Sequence, residues 1–186
     1  IIDRAPWGFP INLKFLKETR SNVKIILLVR DVIEVLASFI RWSQKEPTAY
    51  VNKYEAEGLR QVTGLSDLDL RLTESEEVLK IGSIDITFLH TPGHTPGSQC
   101  FRIGNSLVAG DTLFLQGCGR VDLPGGDSEV MYDTLTRRLA KIKNEVVLYP
   151  GHNYGGKHSA PMGEVRETNS YLQIKSLEDW LAVMGG

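Results

Sequence analysis

Three Gly/Pro-rich strings each present one side chain able to bind a metal ion. They are Thr91-Pro92-Gly93-His94-Thr95-Pro96-Gly97-Ser98, Ala109-Gly110-Asp111-Thr112 and Tyr149-Pro150-Gly151-His152-Asn153-Tyr154. Imidazole and carboxylate are suitable donors for Zn2+ or non-haem Fe2+. The Asp111 carboxylate has two oxygens, enough to bridge two ions. Flanking glycines let the backbone approach an ion closely. Taken singly, a histidine beside a glycine reads as an ordinary loop residue; the three strings together, each after an apolar stretch, make the candidate site. His90, at the end of a strand, and His158, in a polar loop, read as packing and surface residues. Cys118 reads as a packed loop residue rather than a ligand or nucleophile.

The elements that must hold these loops follow from periodicity. Ile84 to Leu89 alternates like a half-buried strand and leads into the first loop. Gln99–Ile103 and Ser106–Ala109 read as a hairpin turned by Gly104-Asn105. Ser128 to Lys143 carries Val130, Met131, Leu135, Leu139 and Ile142 on one side and predicts a helix. Glu145 to Tyr149 predicts a short buried strand before the third loop, and Gly163 to Met184 a mostly helical tail. Near the start, the apolar run Val23 to Val29 predicts a buried parallel strand, and Asp31 to Trp42 an amphipathic helix capped by Asp31. Residues 48 to 75 are charged and weakly periodic, so a domain boundary is placed at 58/59.

Composition narrows the function classes. The 186 residues are 41% hydrophobic and 24% charged, as in an ordinary globular protein. A net charge of -2 gives no basic field for nucleic acid or an anionic membrane. No apolar run approaches the roughly 18 residues of a membrane span. Two cysteines outside any CxxC pair, and no recognisable leader, lead to the expectation of a cytoplasmic protein. The chain opens on Ile1 and reads as a fragment.

Thr91–Ser98, Gly110-Asp111 and Pro150-Gly151-His152 occur in the order and context of the metallo-β-lactamase superfamily, and the resemblance covers roughly residues 65–175. Gly117-Cys118-Gly119-Arg120-Val121-Asp122, Gly125-Gly126-Asp127 and Tyr149 to Gly155 resemble the glyoxalase II and persulfide dioxygenase group. The resemblance implies His94 on a first metal, a bridging and catalytic Asp111, and His152 on a second. It implies Zn2+ as cofactor, or Fe2+ in the dioxygenase variant. It also implies Arg120 and Tyr154 beside a glutathione-derived or other small thioester substrate. The family's His-x-His-x-Asp-His string occurs nowhere here. The expectation is therefore an α/β chain carrying the C-terminal half of an αββα sandwich, a mixed sheet with flanking helices, plus an N-terminal βα unit. Its function is metal-dependent thioester hydrolysis on a truncated site, with persulfide dioxygenation or a non-catalytic remnant as the alternatives. Exposed strand edges would leave room for a homodimer.

Residues 22–31, continuing to Ala37-Ser38-Phe39, resemble the central strand and helix of a sulfotransferase. That resemblance covers residues 1–58 and implies Arg30 and Ser38 as grips for a nucleotide 3′-phosphate. Residues 59–186 form the second domain of this expectation.

Overall fold

The computed structural model describes residues 25–27, 38–40, 49–63, 66, 70–154 and 156–184. Strand β1 (Ile25–Leu27) pairs antiparallel with β2 (Ser38–Ile40), so Ile25 faces Ile40 and Leu27 faces Ser38. This corrects two expectations: residues 38–40 are strand rather than part of a helix over Asp31–Trp42, and the first strand is antiparallel to its neighbour. Phe39 is aromatic and Ile40 β-branched, types that suit a pleated backbone, and pairing overrides the helical spacing. Arg30 lies outside the described residues.

Next come β3 (Ala49–Asn52), helix α1 (Ala56–Thr63) and β4 (Leu70–Thr73), which pairs parallel with β3. A parallel pair needs a crossover, and α1 supplies it. The main sheet follows with β5 (Val78–Ile81), β6 (Ile84–His90), β7 (Gln99–Ile103) and β8 (Ser106–Gly110), successive antiparallel neighbours. The β7–β8 hairpin turns at Gly104-Asn105 as expected, with Ile103 opposite Ser106 and Gly104 at φ 56°. After the small ribbon β9 (Leu113–Phe114) and β10 (Gly117–Cys118), β11 (Val147–Pro150) joins β8 in parallel and β12 (Ala160–Pro161) closes the edge. The strand order is β12-β11-β8-β7-β6-β5.

Period-two alternation gives this sheet two apolar faces. Cys100, Leu107, Ala109 and Leu148 point to one. They meet Met131 of α2 (Ser128–Asp133), Met162 and Val165 of α3 (Met162–Thr168), and Trp180 of α5 (Leu177–Met184), with α4 (Ser170–Gln173) between the last two helices. Ile86, Phe88 and Phe101 point to the other face and meet Tyr50 of β3, whose ring stacks on Phe88 at 6.4 Å. The chain is thus mixed α/β, with helices on one face of a mixed sheet and the β3–α1–β4 unit against the other. No helix among the described residues is long and apolar enough to cross a membrane.

The helix expected over Ser128–Lys143 is present in three parts. Asp127 caps α2 by accepting from the Val130 amide at 2.9 Å. A wide π turn then spans Thr134–Arg138 and a 3-10 turn spans Leu139–Lys141. Thr134 Oγ1 donates to the Pro92 carbonyl at 2.6 Å and Thr136 Oγ1 to Tyr132, so hydroxyls intervene in the ladder where the helix meets the first loop.

Candidate metal centre

Strands β6, β8 and β11 run in one direction, because β7 reverses between β6 and β8, and β11 is parallel to β8. Their C-terminal ends therefore open on one edge of the sheet. The three candidate loops leave from that edge, where ligand sites of α/β sheets commonly form.

The loop carrying His94 is held at its base by buried side chains. Thr91 Oγ1 lies 3.1 Å from Thr112 Oγ1, and the Asp127 amide donates to the Gly93 carbonyl at 2.8 Å. Gly93, at φ 135°, packs so closely on α2 that a Cβ would fall 2.5 Å from Met131 Cα. His94 is 5% exposed. Its Nδ1 lies 2.7 Å from the Arg120 carbonyl. A carbonyl only accepts, so Nδ1 carries a proton, and in the tautomer this leaves, Nε2 presents its lone pair. Nε2 is buried and has no hydrogen-bond partner among the described residues.

Asp111 and His152 meet directly. His152 Nε2 is 3.3 Å from Asp111 Oδ1, with the side chains 14% and 11% exposed. The parallel pairing of β8 and β11 brings them together, and the Gly151 amide donates to Gly110 at 2.7 Å. A Cβ on Gly151 would lie 2.6 Å from that same Oδ1. Gly119 joins the two parts of the site: its Cβ would lie 1.9 Å from the Asp111 carbonyl oxygen and 3.1 Å from His94 Cβ.

An orphaned, buried imidazole nitrogen beside a carboxylate–imidazole pair fits zinc or iron in donor chemistry. Among the described residues, however, no three His, Cys, Asp or Glu side chains converge closely enough to hold an ion as they stand. Asp111 and His152 are in contact, and no third such side chain joins them among the described residues. The β3–α1 junction, which abuts the His94 loop, carries Asn52, Lys53, Tyr54 and Glu55 and no imidazole.

Arg120 forks onto Asp122 with hydrogen bonds of 2.7 and 2.6 Å. These bonds hold the Asp122 carboxyl down to about 2. Arg120 thus contributes its carbonyl to His94, while its guanidinium lies on the outer surface. Tyr154 is 73% exposed and stacks flat on His152 at 5.3 Å. Phe114 meets both rings edge-on. His152, Tyr154, Phe114, Gln116, Lys157 and Glu164 line a cavity of about 290 Å3. The buried Asn169 amide fixes its β9–β10 wall by donating to the Phe114 and Gly117 carbonyls at 3.1 and 2.9 Å.

His90 Nε2 is turned onto the Pro96 carbonyl, and His158 Nδ1 lies against Asn153. Burial pushes the Cys118 thiol up to about 12 and Cys100 to about 11, so neither is a thiolate nucleophile near neutral pH. Ser38 lies in β2, and its expected partner Arg30 is outside the described residues. Sequence reasoning missed Glu55, Thr134 and Asn169. Each is a polar residue among others, with a partner 40 to 55 positions away, so no local pattern marks it.

Residues 14–152 match the family model described as the metallo-beta-lactamase superfamily, a match that runs across the expected boundary at 58/59. The chain is 28% identical over 166 residues to a probable polyketide biosynthesis zinc-dependent hydrolase of Bacillus subtilis, covering 89% of this chain and 68% of that one. It is 27% identical over 177 residues to a hydroxyacylglutathione hydrolase of Haemophilus influenzae, covering 87% and 81%. Among solved structures, ETHE1 from Myxococcus xanthus superposes with TM-score 0.60 at 29% identity, covering 70% of this chain and 61% of that one. These two curated relatives are hydrolases by name, which agrees with hydrolase-type chemistry on a small molecule. Sheet, loop placement and family match lead to one statement: the chain belongs to the metallo-β-lactamase superfamily.

Proposed function

We propose that this chain is a hydrolase of the hydroxyacylglutathione type, cleaving a small thioester at a site built from His94, Asp111 and His152. The observation that carries this reading is the His94 ring. Its Nδ1 is tied to a carbonyl, while its Nε2 is buried with no hydrogen-bond partner among the described residues. Leaving a buried polar atom unmatched costs roughly 1–3 kcal/mol, so such an atom calls for a functional explanation. His94, Asp111 and His152 are the residues that would hold Zn2+. When bound, the ion supplies Lewis-acid polarisation of the thioester carbonyl.

The chain's own residues do the rest. The Arg120 carbonyl orients His94, and Asp111 and His152 hold each other in place. Phe114 and Tyr154 give the adjoining cavity an apolar wall that excludes water from one side of the substrate. Arg120 is the proposed grip for a substrate carboxylate, which would exchange with the exposed Asp122.

The test is hydrolysis of a hydroxyacylglutathione thioester with added zinc. The expected result is zinc-dependent release of free thiol that His152→Ala reduces by roughly a hundredfold or more, as for loss of a metal-held transition-state contact. No zinc-dependent release by the wild-type chain would refute the thioester assignment. Two imidazoles and one carboxylate also suit a single non-haem Fe2+, which supports persulfide dioxygenation as the second reading. Bound iron with oxygen uptake on a persulfide would select it.

A further inference from the structure

Glu55 lies between β3 and α1, 8% exposed, in a segment with no role in the proposed chemistry. Its backbone joins strand to helix: its amide donates to the Asn52 carbonyl, and its carbonyl accepts the first α1 bond from Leu59 at 2.9 Å. Its side chain leaves this unit and enters the His94 loop. Oε1 accepts from Thr95 Oγ1 at 2.6 Å and from the Gly97 amide at 2.9 Å. Both donors are buried, and the Thr95 bond is short.

The fit is steric as well as polar. A Cβ on Gly97 would lie 2.3 Å from Glu55 Cγ, so the loop has a glycine where the carboxylate arm passes. Ser98 Oγ braces the same spot, 2.9 Å from Thr95 Oγ1 and accepting from the Thr95 amide at 3.0 Å. The loop is therefore clamped at both ends. Thr112, Thr134 and Asp127 hold its base, and Glu55 holds its apex. His94 is the residue between the clamps, one position before Thr95.

We propose that Glu55 is a positioning residue: its carboxylate on Thr95 and Gly97 holds the apex of the His94 loop so that His94 keeps Nδ1 on the Arg120 carbonyl and Nε2 toward the site. The inference rests on the proposed role of His94 and adds to it a control from the other unit of the fold. Glu55 acts through the loop backbone. The β3–α1 junction, which supplies no imidazole to the site, still governs the site's geometry through this one side chain.

The test is the tautomer of His94, read by long-range proton–nitrogen NMR of the imidazole rings without metal, in the wild type, Glu55→Ala and Glu55→Gln. The wild type is expected to show one tautomer, with well-separated Nδ1 and Nε2 signals. Glu55→Ala is expected to draw the two nitrogen signals of His94 together while those of His158 stay in place. Glu55→Gln keeps an acceptor oxygen and is expected to retain the wild-type pattern. A Glu55→Ala protein with a lowered melting temperature but an unchanged His94 tautomer would make Glu55 a structural prop and overturn the proposal. A shift in Glu55→Gln as large as in Glu55→Ala would overturn it too, because the acceptor is still there. Should Glu55→Ala fail to fold, Thr95→Val removes one of the two donors at nearly constant shape. It must then shift the same ring in the same sense, and an unmoved His94 ring would overturn the proposal. The readout needs neither zinc nor turnover, so failure of the ligand or substrate assignment would be seen separately.

Discussion

Gly119→Ala is expected to lower the melting temperature by roughly 5–10 °C and to release His94 from the Arg120 carbonyl. The new methyl would lie 1.9 Å from the Asp111 carbonyl oxygen, and a backbone atom cannot swing aside as a side-chain tip can. Overpacking of this kind costs about 1–3 kcal/mol and more against rigid atoms, and each kcal/mol is worth roughly 2–4 °C in a domain of this size. The strain falls between His94 and Asp111, so the site moves with the fold. Gly58→Ala is the control. It lies in α1 with nothing within 4 Å of its Cβ position, and alanine there should be neutral or slightly stabilising. Thermal unfolding of the two variants side by side checks the expectation. A Gly119→Ala protein as stable as Gly58→Ala, with an undisturbed His94 signal, would mean that the two parts of the site are not packed through this glycine.

Trp180→Ala should be the most costly single truncation away from the site, at about 3–5 kcal/mol. The ring is 0% exposed and lies in the cluster with Met131, Leu107 and Met162. Its Nε1 donates to the Ser128 carbonyl at 2.8 Å and to Ser128 Oγ at 2.9 Å, tying α5 to the first turn of α2. The same turn supports Gly93 through Met131, so the tail helix braces the His94 loop from behind. Urea denaturation measures the cost. Trp180→Phe keeps most of the apolar volume and loses the donor, so it should recover about half or more of the loss. An Ala variant within about 1 kcal/mol of wild type would show that the tail is not an integral part of this core.

Most of what positions the site could be read from the chain before its structure. Gly104-Asn105 between two alternating apolar runs specified the β7–β8 hairpin. Gly93 beside His94 and Gly151 beside His152 sit too close to neighbouring atoms for a side chain, whereas Gly110 beside Asp111 has open space and a φ of 53°. The parallel registration of β8 with β11 was not legible, because a sequence pattern gives the period of a strand but not its partner. That pairing is what puts His152 on Asp111. The helix over Ser128–Lys143 was legible as helical, but its π turn was not. That turn coincides with the Thr134 bond to Pro92, a contact spanning 42 residues. Glu55 was hidden for the same reason: in a charged segment, one more carboxylate looks solvated until the fold buries it against Thr95 and Gly97. The helical spacing of Val32, Val35, Leu36 and Phe39 gave way at Phe39 to pairing with Ile26. A short amphipathic pattern is a weak signal when a neighbouring strand offers a ladder.

His94, Asp111 and His152 are proposed as ligand positions of one site. The direct measurement is zinc content by mass spectrometry after equilibration with excess Zn2+ and removal of free ion, for the wild type beside Asp111→Ala. About one zinc per wild-type chain is expected, held by two imidazoles and a carboxylate, and essentially none in the variant. No retained zinc in the wild type, or equal zinc in both proteins, would contradict the proposal.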